Sequence, residues 1–185
     1  MNMSRDRLTL ITGMSGSGKT TLAEMFEENG YRVITMGDVI RDIARERGLE
    51  PTPKNLGSIA EGIRQEGGDA AVARKCVERL EGLRERKIIV DGIRSLSEVT
   101  VFRKHFDVLL VAVHASPRTR YKRLKGRHRT DDPQDWDDFE TRDRRELGFS
   151  LGWAVALADH MIVNEGSLEE LDRAFHALLE KLNGP

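Results

Sequence analysis

The stretch GMSGSGKT, residues 13–20, decides the fold of this 185-residue chain. It satisfies the pattern G-x-x-x-x-G-K-[ST], which describes a loop whose backbone N–H groups surround phosphate oxygens. A run of β-forming residues, LTLIT (8–12), comes directly before it, and a run of good helix formers, TTLAEMFEE (20–28), follows. Because such a loop needs a strand before it and a helix after it, this context predicts a nucleoside triphosphate site in an α/β domain.

The residue types in this loop suit a phosphate chain. Glycine at 13, 16 and 18 permits backbone angles that aim N–H groups inward, and the following helix adds the partial positive charge of its N-terminus. We expect Lys19 to reach the terminal phosphates and the Thr20 hydroxyl to ligate Mg²⁺. The predicted nucleotide contacts are Gly13, Ser15, Gly16, Ser17, Gly18, Lys19, Thr20 and Thr21.

Short apolar, β-branched runs recur along the chain and alternate with segments of helical character. This alternation predicts a parallel sheet that is buried on both faces, and hence an α/β fold in one domain, residues 1–185. The predicted strands are LTLIT (8–12), YRVIT (31–35), KIIV (87–90), DVLLVAV (107–113) and HMIV (160–163). The predicted helices cover residues 19–29, 39–47, 55–65, 70–83, 96–105, 117–124, 136–147 and 168–182.

Composition narrows the class of protein. The formal net charge is −1, so no global basic field would draw the chain to nucleic acid or to a membrane. Cys76 is the only cysteine, which excludes an internal disulfide and a cysteine-cluster metal site, and we expect it to be buried on a helix. The N-terminal segment has no apolar leader and no later run is long enough to span a membrane. We expect a cytoplasmic protein that is a monomer or a homodimer.

A second informative stretch, TMGDVIR (35–41), follows the second predicted strand. It places Asp38 and Arg41 one helical turn apart. Asp38 suits three roles at this position: the N-cap of a helix, a general base, or part of a grip on a second substrate. Gly37, Asp38 and Arg41 are therefore candidate contacts to an acceptor.

Four stretches in this order resemble those of small P-loop kinases. TMGDVIR resembles the segment after the second strand of adenylate kinase and its nucleoside monophosphate kinase relatives. VDGIR (90–94) is similar to their third-strand motif, RLKGRHRTDD (123–132) to their arginine-rich lid, and ADHMIVNEGSLEEL (158–171) to the last strand and helix of dephospho-coenzyme A kinase. Across residues 8–182 the chain most resembles an archaeal family described as adenylate-kinase-related or dephospho-coenzyme-A-kinase-like. No Asn-Lys-x-Asp tetrapeptide of the GTPase kind occurs.

This resemblance implies a P-loop NTPase three-layer sandwich whose five parallel strands lie in the order 2-3-1-4-5. It also implies ATP as the phosphoryl donor, Asp91 at the Mg²⁺-associated position, and Arg41 and Arg94 at the acceptor's phosphate. Asn164, after the fifth strand, would help to frame the ATP base, although a turn-forming role suits it equally. Residues 49–69 take the place of a small acceptor-binding insert, in which Arg64 is either a phosphate ligand or an exposed helix residue.

Residues 123–150 take the place of the lid in those kinases. Arg123 and Arg127 are spaced i and i+4, so that they share one helix face and suit one phosphate chain. A solvated charge cluster with the acidic residues 131–140 is the alternative interpretation. Arg142 or Arg145 stands where adenylate kinases place a later arginine.

The chemistry of the acceptor separates two kinds of kinase. A phosphate monoester is already an anionic nucleophile, since its second pKa is about 6, and it needs arginines rather than a base. A hydroxyl acceptor needs a carboxylate such as Asp38. We predict a small phosphate-bearing acceptor resembling a nucleoside monophosphate. A hydroxyl kinase of the dephospho-coenzyme A kinase type is the first alternative, and an NTP-binding switch or slow ATPase is the second.

Overall fold

The computed structural model describes residues 7–83, 87–127, 132–148 and 150–183. The strands are β1 (Arg7–Thr12), β2 (Arg32–Thr35), β3 (Ile88–Ile93), β4 (Asp107–His114) and β5 (His160–Val163). The helices are α1 (Lys19–Glu28), α2 (Met36–Glu46), α3 (Pro53–Gly67), α4 (Ala71–Glu81), α5 (Leu96–His105), α6 (Pro117–Arg127), α7 (Trp136–Gly148), α8 (Leu151–Ala156) and α9 (Leu168–Asn183). Within these ranges, no helix has the length and apolar content to cross a lipid bilayer.

The five strands form one parallel sheet in the order β2-β3-β1-β4-β5, which confirms the predicted fold. β1 lies in the centre, between β3 and β4, and the loop of residues 13–18 leaves its carboxyl end. In such sheets ligands bind outside the carboxyl ends of the strands, where the strand order reverses. The fold therefore sets the phosphate-loop sequence at the place where a doubly wound sheet binds its ligand.

Alternate residues of the central strand pack into two separate cores. Leu8 and Leu10 of β1 lie in a core with α2, α3, α4 and α5. Ile11 packs on the other face, with α1 and α9. Cys76 of α4 is fully buried in the first core, as predicted, and burial raises the pKa of its thiol to about 12.

Strand β3 is longer than the sequence predicts. It runs to Ile93, and its pairing with β1 is interrupted by one extra residue, Gly92, because Ile11 pairs with Asp91 and Thr12 with Ile93. Gly92 has φ of 94°, a left-handed conformation that favours glycine. Such bulges re-aim a neighbouring side chain next to functional sites. Here the neighbour is Asp91, the predicted Mg²⁺-associated residue.

The start of α2 differs from the prediction. The helix begins at Met36 rather than at residue 39, and its N-cap is Thr35, so of the three roles left open for Asp38 the N-cap position itself belongs to Thr35. Asp38 occupies the third helical position of a capping box: its N–H donates to Thr35 Oγ1 at 3.0 Å, and Thr35 N–H donates to Asp38 Oδ2 at 2.9 Å. Threonine followed three residues later by an acidic residue favours this reciprocal cap, in which the carboxylate satisfies a free N–H group.

The polar segments contain more helix than the sequence predicts. Most of the segment 49–69 forms the long helix α3 (Pro53–Gly67), which begins after the N-cap Thr52 and buries Ile59 and Ile63 against the first core. The short helix α8 was not predicted; Leu151 and Ala154 bury its inner face. Of the lid region, residues 128–131 and 149 lie outside the described residues.

Candidate active site

The loop of residues 13–18 has the backbone conformation that an anion-binding loop needs. Gly13, Gly16 and Gly18 all have positive φ, at 146°, 80° and 104°. A Cβ on Gly13 would lie 2.3 Å from the backbone oxygen of Val113, so the loop packs directly against β4. Any side chain at Gly13 would therefore displace backbone, not merely another side chain.

Lys19 begins α1 and folds back over the loop. Its Nζ donates to the carbonyl oxygens of Gly13 at 2.7 Å and Met14 at 3.1 Å. Burial lowers the pKa of Lys19, and the negative charges of Asp91 and Glu146 oppose that shift. The ammonium group thus lies at the phosphate loop, between carboxylates from β3 and α7.

Asn164 joins three parts of this site. It is 7% exposed, and its Nδ2 donates to the carbonyl oxygen of Ser17 at 2.8 Å. Arg123 of α6 donates to both the backbone oxygen and the Oδ1 of Asn164, at 2.9 and 3.3 Å. A Cβ on Gly18 would lie 2.2 Å from Asn164 Nδ2, so only glycine fits beneath this amide. The amide groups of Asn164 are engaged within the protein, and its role at the ATP base stays a prediction.

Asp91 lies at the bulge of β3, close enough to Lys19 for their charges to interact. Its Oδ1 is buried and makes no hydrogen bond. Burial raises the pKa of this carboxyl, while the Lys19 charge, the Gly92 N–H group and Arg94 act to lower it. A buried carboxylate oxygen without a donor is costly unless a ligand satisfies it.

The residues present fit Mg²⁺ only as part of a nucleotide complex. No group of three or more His, Cys, Asp or Glu side chains able to hold a metal occurs within the described ranges. Mg²⁺ usually binds through one or two protein ligands together with substrate phosphates and water. Thr20, in the first turn of α1, and the unsatisfied oxygen of Asp91 fit that mode.

Glu146 of α7 contacts the phosphate loop, and the sequence did not reveal this contact. Its Oε1 accepts from the Ser15 hydroxyl at 2.5 Å, and its Oε2 accepts from the Ser15 backbone N–H at 3.1 Å. Burial acts to raise the pKa of Glu146, but the Ser15 hydrogen bonds and the charges of Lys19 and Arg142 outweigh it and hold the pKa below its ordinary value. The Glu146 carboxylate therefore accepts a hydrogen bond from a backbone N–H group of the phosphate loop.

A buried ion pair fixes α7 against the same loop. Arg120 of α6 is 3% exposed and donates through Nη1 and Nη2 to the two carboxylate oxygens of Asp143, at 2.8 and 2.5 Å. Its Nη1 also donates to the carbonyl oxygen of Ser15 at 3.3 Å, and its Nε to that of Ala115 at 3.1 Å. Arg120 thus links α6, α7 and the phosphate loop.

The predicted lid arginines take different partners. Arg123 and Arg127 lie on α6, but Arg123 donates to Asn164, whereas Arg127 donates to Asp132 at 2.6 Å. Arg142 lies beside Glu146, with its Nε 3.4 Å from Glu146 Oε1, while Arg145 is exposed in the last turn of α7. Of the two later arginines, the geometry favours Arg142.

The predicted acceptor residues fall into two groups. Arg64 of α3 and Arg94 after β3 line one cavity of about 90 Å³, together with Asp69, Ser95, Glu98, Gly148 and Ser150. Arg94 lies close to Lys19 and Asp91, because its charge acts on both. Asp38 instead lines a separate groove with Asp42 and Arg79.

Both carboxylate oxygens of Asp38 are engaged in the structure. Oδ2 accepts from Thr35, and Oδ1 accepts from Arg41 Nη2 at 2.5 Å. The Arg41 guanidinium also lies close to Gly37, at the start of α2. Partial burial acts to raise the pKa of Asp38, but the hydrogen bonds from Arg41 and Thr35 outweigh it, so the pKa is lowered. These contacts make Asp38 a weaker base than an isolated carboxylate.

Comparisons with known proteins agree with this architecture. A family model described as an AAA domain matches residues 10–147. A UPF0200 protein of Hyperthermus butylicus is 46% identical over 177 residues, which cover 96% of this chain and 95% of that protein. The chain belongs to the UPF0200 family. A UPF0200 protein of Methanocaldococcus jannaschii is 48% identical over 176 residues, which cover 94% of this chain and 89% of the relative.

Solved structures show that this UPF0200 protein has a P-loop kinase-like fold. A protein from Thermus thermophilus aligns with a TM-score of 0.65 at 21% identity, covering 98% of this chain and 100% of its own. Shikimate kinase from Bacteroides thetaiotaomicron aligns with a TM-score of 0.65 at 14% identity, and the alignment covers 95% of this chain and 97% of the shikimate kinase chain. The predicted archaeal kinase-like family is thus confirmed at the level of UPF0200, while the closer likeness to adenylate kinase or dephospho-coenzyme A kinase stays a prediction.

Sequence reasoning missed four charged residues of low exposure around the candidate site of this UPF0200 protein. Glu146 and Asp143 lie in a helix rich in both charges, and Arg120 lies in an arginine-rich one. No local pattern separates them from their exposed neighbours, because their partners are far away in the chain. Glu98, 2% exposed beside Arg94, was also missed, although Ser95 three residues before it is a capping-box signal.

Proposed function

We propose that this UPF0200 protein is an ATP-dependent kinase that transfers the γ-phosphoryl group to a small phosphate monoester resembling a nucleoside monophosphate. The observation that carries the proposal is the position of Arg64 and Arg94, which line one cavity, with Arg94 close enough to Lys19 for their charges to interact. Two guanidinium groups at one cavity suit the oxygens of a phosphate, which arginine binds in bidentate fashion. The P-loop kinase-like fold supports the nucleotide side of the reaction.

The chain's own groups would act mainly through position and charge. Lys19 and the N–H groups of the loop would hold the β- and γ-phosphates, and Arg94 would hold the acceptor's phosphate near them. Thr20 and Asp91 would hold Mg²⁺, which neutralises phosphate charge in reactions of this class. Closure of α6 and α7 over the nucleotide would then exclude water. In that step the arginines of these helices, Arg123, Arg127 and Arg142, would exchange their present partners for phosphate oxygens.

The size of the cavity between Arg64 and Arg94 has a consequence for the acceptor. Small-molecule pockets commonly measure about 300–1,000 Å³, whereas this one measures about 90 Å³. It therefore has room for a phosphate group and not for a whole nucleotide. We infer that α3 and the chain around Gly148 and Ser150 move apart when the acceptor binds.

A screen of acceptors tests the proposal. The protein is incubated with ATP and Mg²⁺ and, in separate reactions, with each nucleoside monophosphate, with dephospho-coenzyme A and with plain nucleosides, and products are read by mass. We expect a mass increase of one phosphoryl group on one or more monophosphates. ATP consumption that no acceptor changes, with no phosphorylated product, would contradict the kinase and favour the switch or slow ATPase, which the AAA-domain match also fits.

Asp38→Asn separates the two classes of acceptor. Because the Asp38 oxygens are engaged by Thr35 and Arg41, we expect kcat with a monophosphate to change less than about threefold and KM to rise. A hydroxyl acceptor would instead lose about 10²–10⁴-fold in kcat with its base. Steady-state kinetics with the best acceptor of each class decides between them.

The matched control is Asp42→Asn, one turn further along α2. Asp42 pairs with Arg45 and with Arg79, and neither pair involves Thr35 or Arg41, so we expect little change in either constant. Asp38→Asn also weakens the capping box, by about 0.5–2 kcal/mol, and a thermal melt separates this loss from a kinetic effect. A large loss of kcat with a monophosphate in a folded variant would overturn our preference and favour the hydroxyl kinase.

A further inference from the structure

The contact between Glu146 and Ser15 places a carboxylate on the phosphate loop. Both carboxylate oxygens of Glu146 accept hydrogen bonds from Ser15, one from its hydroxyl and one from its backbone N–H. In loops of this kind the backbone N–H groups are the donors that surround phosphate oxygens. The Glu146 carboxylate therefore takes up one of the backbone N–H groups of this loop.

Glu146 is largely buried and is surrounded by groups that stabilise its charge. Its side chain is 14% exposed and that of Arg142, one turn before it, is 18% exposed. The charges of Lys19 and Arg142 stabilise the ionised carboxylate. The neighbouring pair of Asp143 and Arg120 holds the same face of α7 on the loop.

The carboxylate and a phosphate chain exclude each other at this position. The Ser15 N–H group has one hydrogen to donate, and two anions within a few ångströms repel strongly where water is scarce. Binding of a nucleotide must then break both Glu146 hydrogen bonds. α7 carries Glu146, so the change is transmitted to the lid region.

We propose that Glu146 is an intramolecular competitor of the nucleotide: it occupies the phosphate loop of the free protein, and ATP must displace it before the lid can close. This inference rests on the proposed binding of ATP at residues 13–20. The displacement releases the Glu146 contact between α7 and Ser15, while Arg120 of α6 still joins Ser15 to Asp143 of α7. Nucleotide binding and lid position are thereby coupled through one carboxylate.

The test compares ATP affinity in Glu146→Gln and the wild-type protein by isothermal titration calorimetry, on the full chain. Glutamine keeps the shape and removes the charge, so we expect the Kd for ATP to fall about tenfold, equivalent to about 1.4 kcal/mol. Glu140→Gln on the same helix is the control, since Glu140 pairs with Arg144 at the surface, and its Kd should match the wild type. An unchanged or weaker affinity in Glu146→Gln would overturn the proposal and assign Glu146 to the nucleotide-bound state.

A second measurement needs no nucleotide. Hydrogen exchange of the Ser15 amide should be faster in free Glu146→Ala than in the free wild type, since its acceptor is gone; equal rates would overturn the contact itself. The outcomes also separate this inference from the function on which it rests. If Glu146→Gln and the wild type bind ATP with equal Kd values and still transfer the phosphoryl group, only the competitor role of Glu146 is rejected. If the wild type does not bind ATP, the proposed kinase function is rejected as well.

Discussion

Replacing Lys19 with alanine is expected to lower phosphoryl transfer by about 10²–10³-fold, because one preorganised donor to the transferring group is lost. In the free protein the ammonium group is held by the carbonyl oxygens of Gly13 and Met14, 2.7 and 3.1 Å away. These contacts place the ammonium group over the loop. A γ-phosphate would replace the carbonyl oxygens as its partner, because the phosphate carries a full negative charge. Single-turnover kinetics with saturating ATP isolates the chemical step from binding.

The fold should tolerate this change. Burial already disfavours the charged form of Lys19, so removal of its ammonium group relieves a desolvation cost as it breaks two hydrogen bonds. We expect a thermal midpoint close to that of the wild type. Lys104→Ala, at the exposed end of α5, is the matched control and should keep full activity. Unaltered transfer in Lys19→Ala would reject the phosphate loop as the catalytic site.

Arg120→Ala is expected to produce the largest loss of stability. Arg120 and Asp143 form a buried pair with two hydrogen bonds, and their side chains are 4% and 15% exposed. Removal of one partner of such a pair leaves an uncompensated charge and costs about 3–5 kcal/mol. Since domains are stable by only about 5–15 kcal/mol, we expect the thermal midpoint to fall by roughly 6–20 °C. Denaturant unfolding gives the corresponding free energy.

The control for Arg120→Ala lies on the helix that it holds. Arg144 and Glu140 of α7 form an exposed pair, with side chains 81% and 46% exposed, and such pairs contribute little. Arg144→Ala should therefore stay within about 0.5 kcal/mol of the wild type. The double variant Arg120→Met with Asp143→Leu should recover part of the stability, because apolar residues often replace a buried pair without loss. Equal stability of Arg120→Ala and Arg144→Ala would contradict the buried pair.

The parts of the site that were predictable are those that depend on local conformation. The positive φ angles at Gly13, Gly16 and Gly18 require glycine wherever the loop occurs, so the pattern of residue types carries the backbone shape with it. The strands were predicted because a parallel sheet covered on both faces needs continuous apolar runs. The boundary of α2 was predicted less well, since a threonine cap and an acidic third position compete with alternative starts for the same helix.

The sequence by itself determined the phosphate-loop pattern, the α/β class and the position of Lys19 at the start of the helix that follows the loop. Only the tertiary structure decided which charges meet there. Ser15 and Glu146 lie 131 residues apart, and Ser15 and Arg120 lie 105 apart. Local patterns register turns and caps within a few residues, whereas the partner of a charged side chain on a helix depends on how whole helices pack. α7 carries carboxylates at several positions, and it is its packing against α6 and the loop that selects Glu146 and Asp143 from among them.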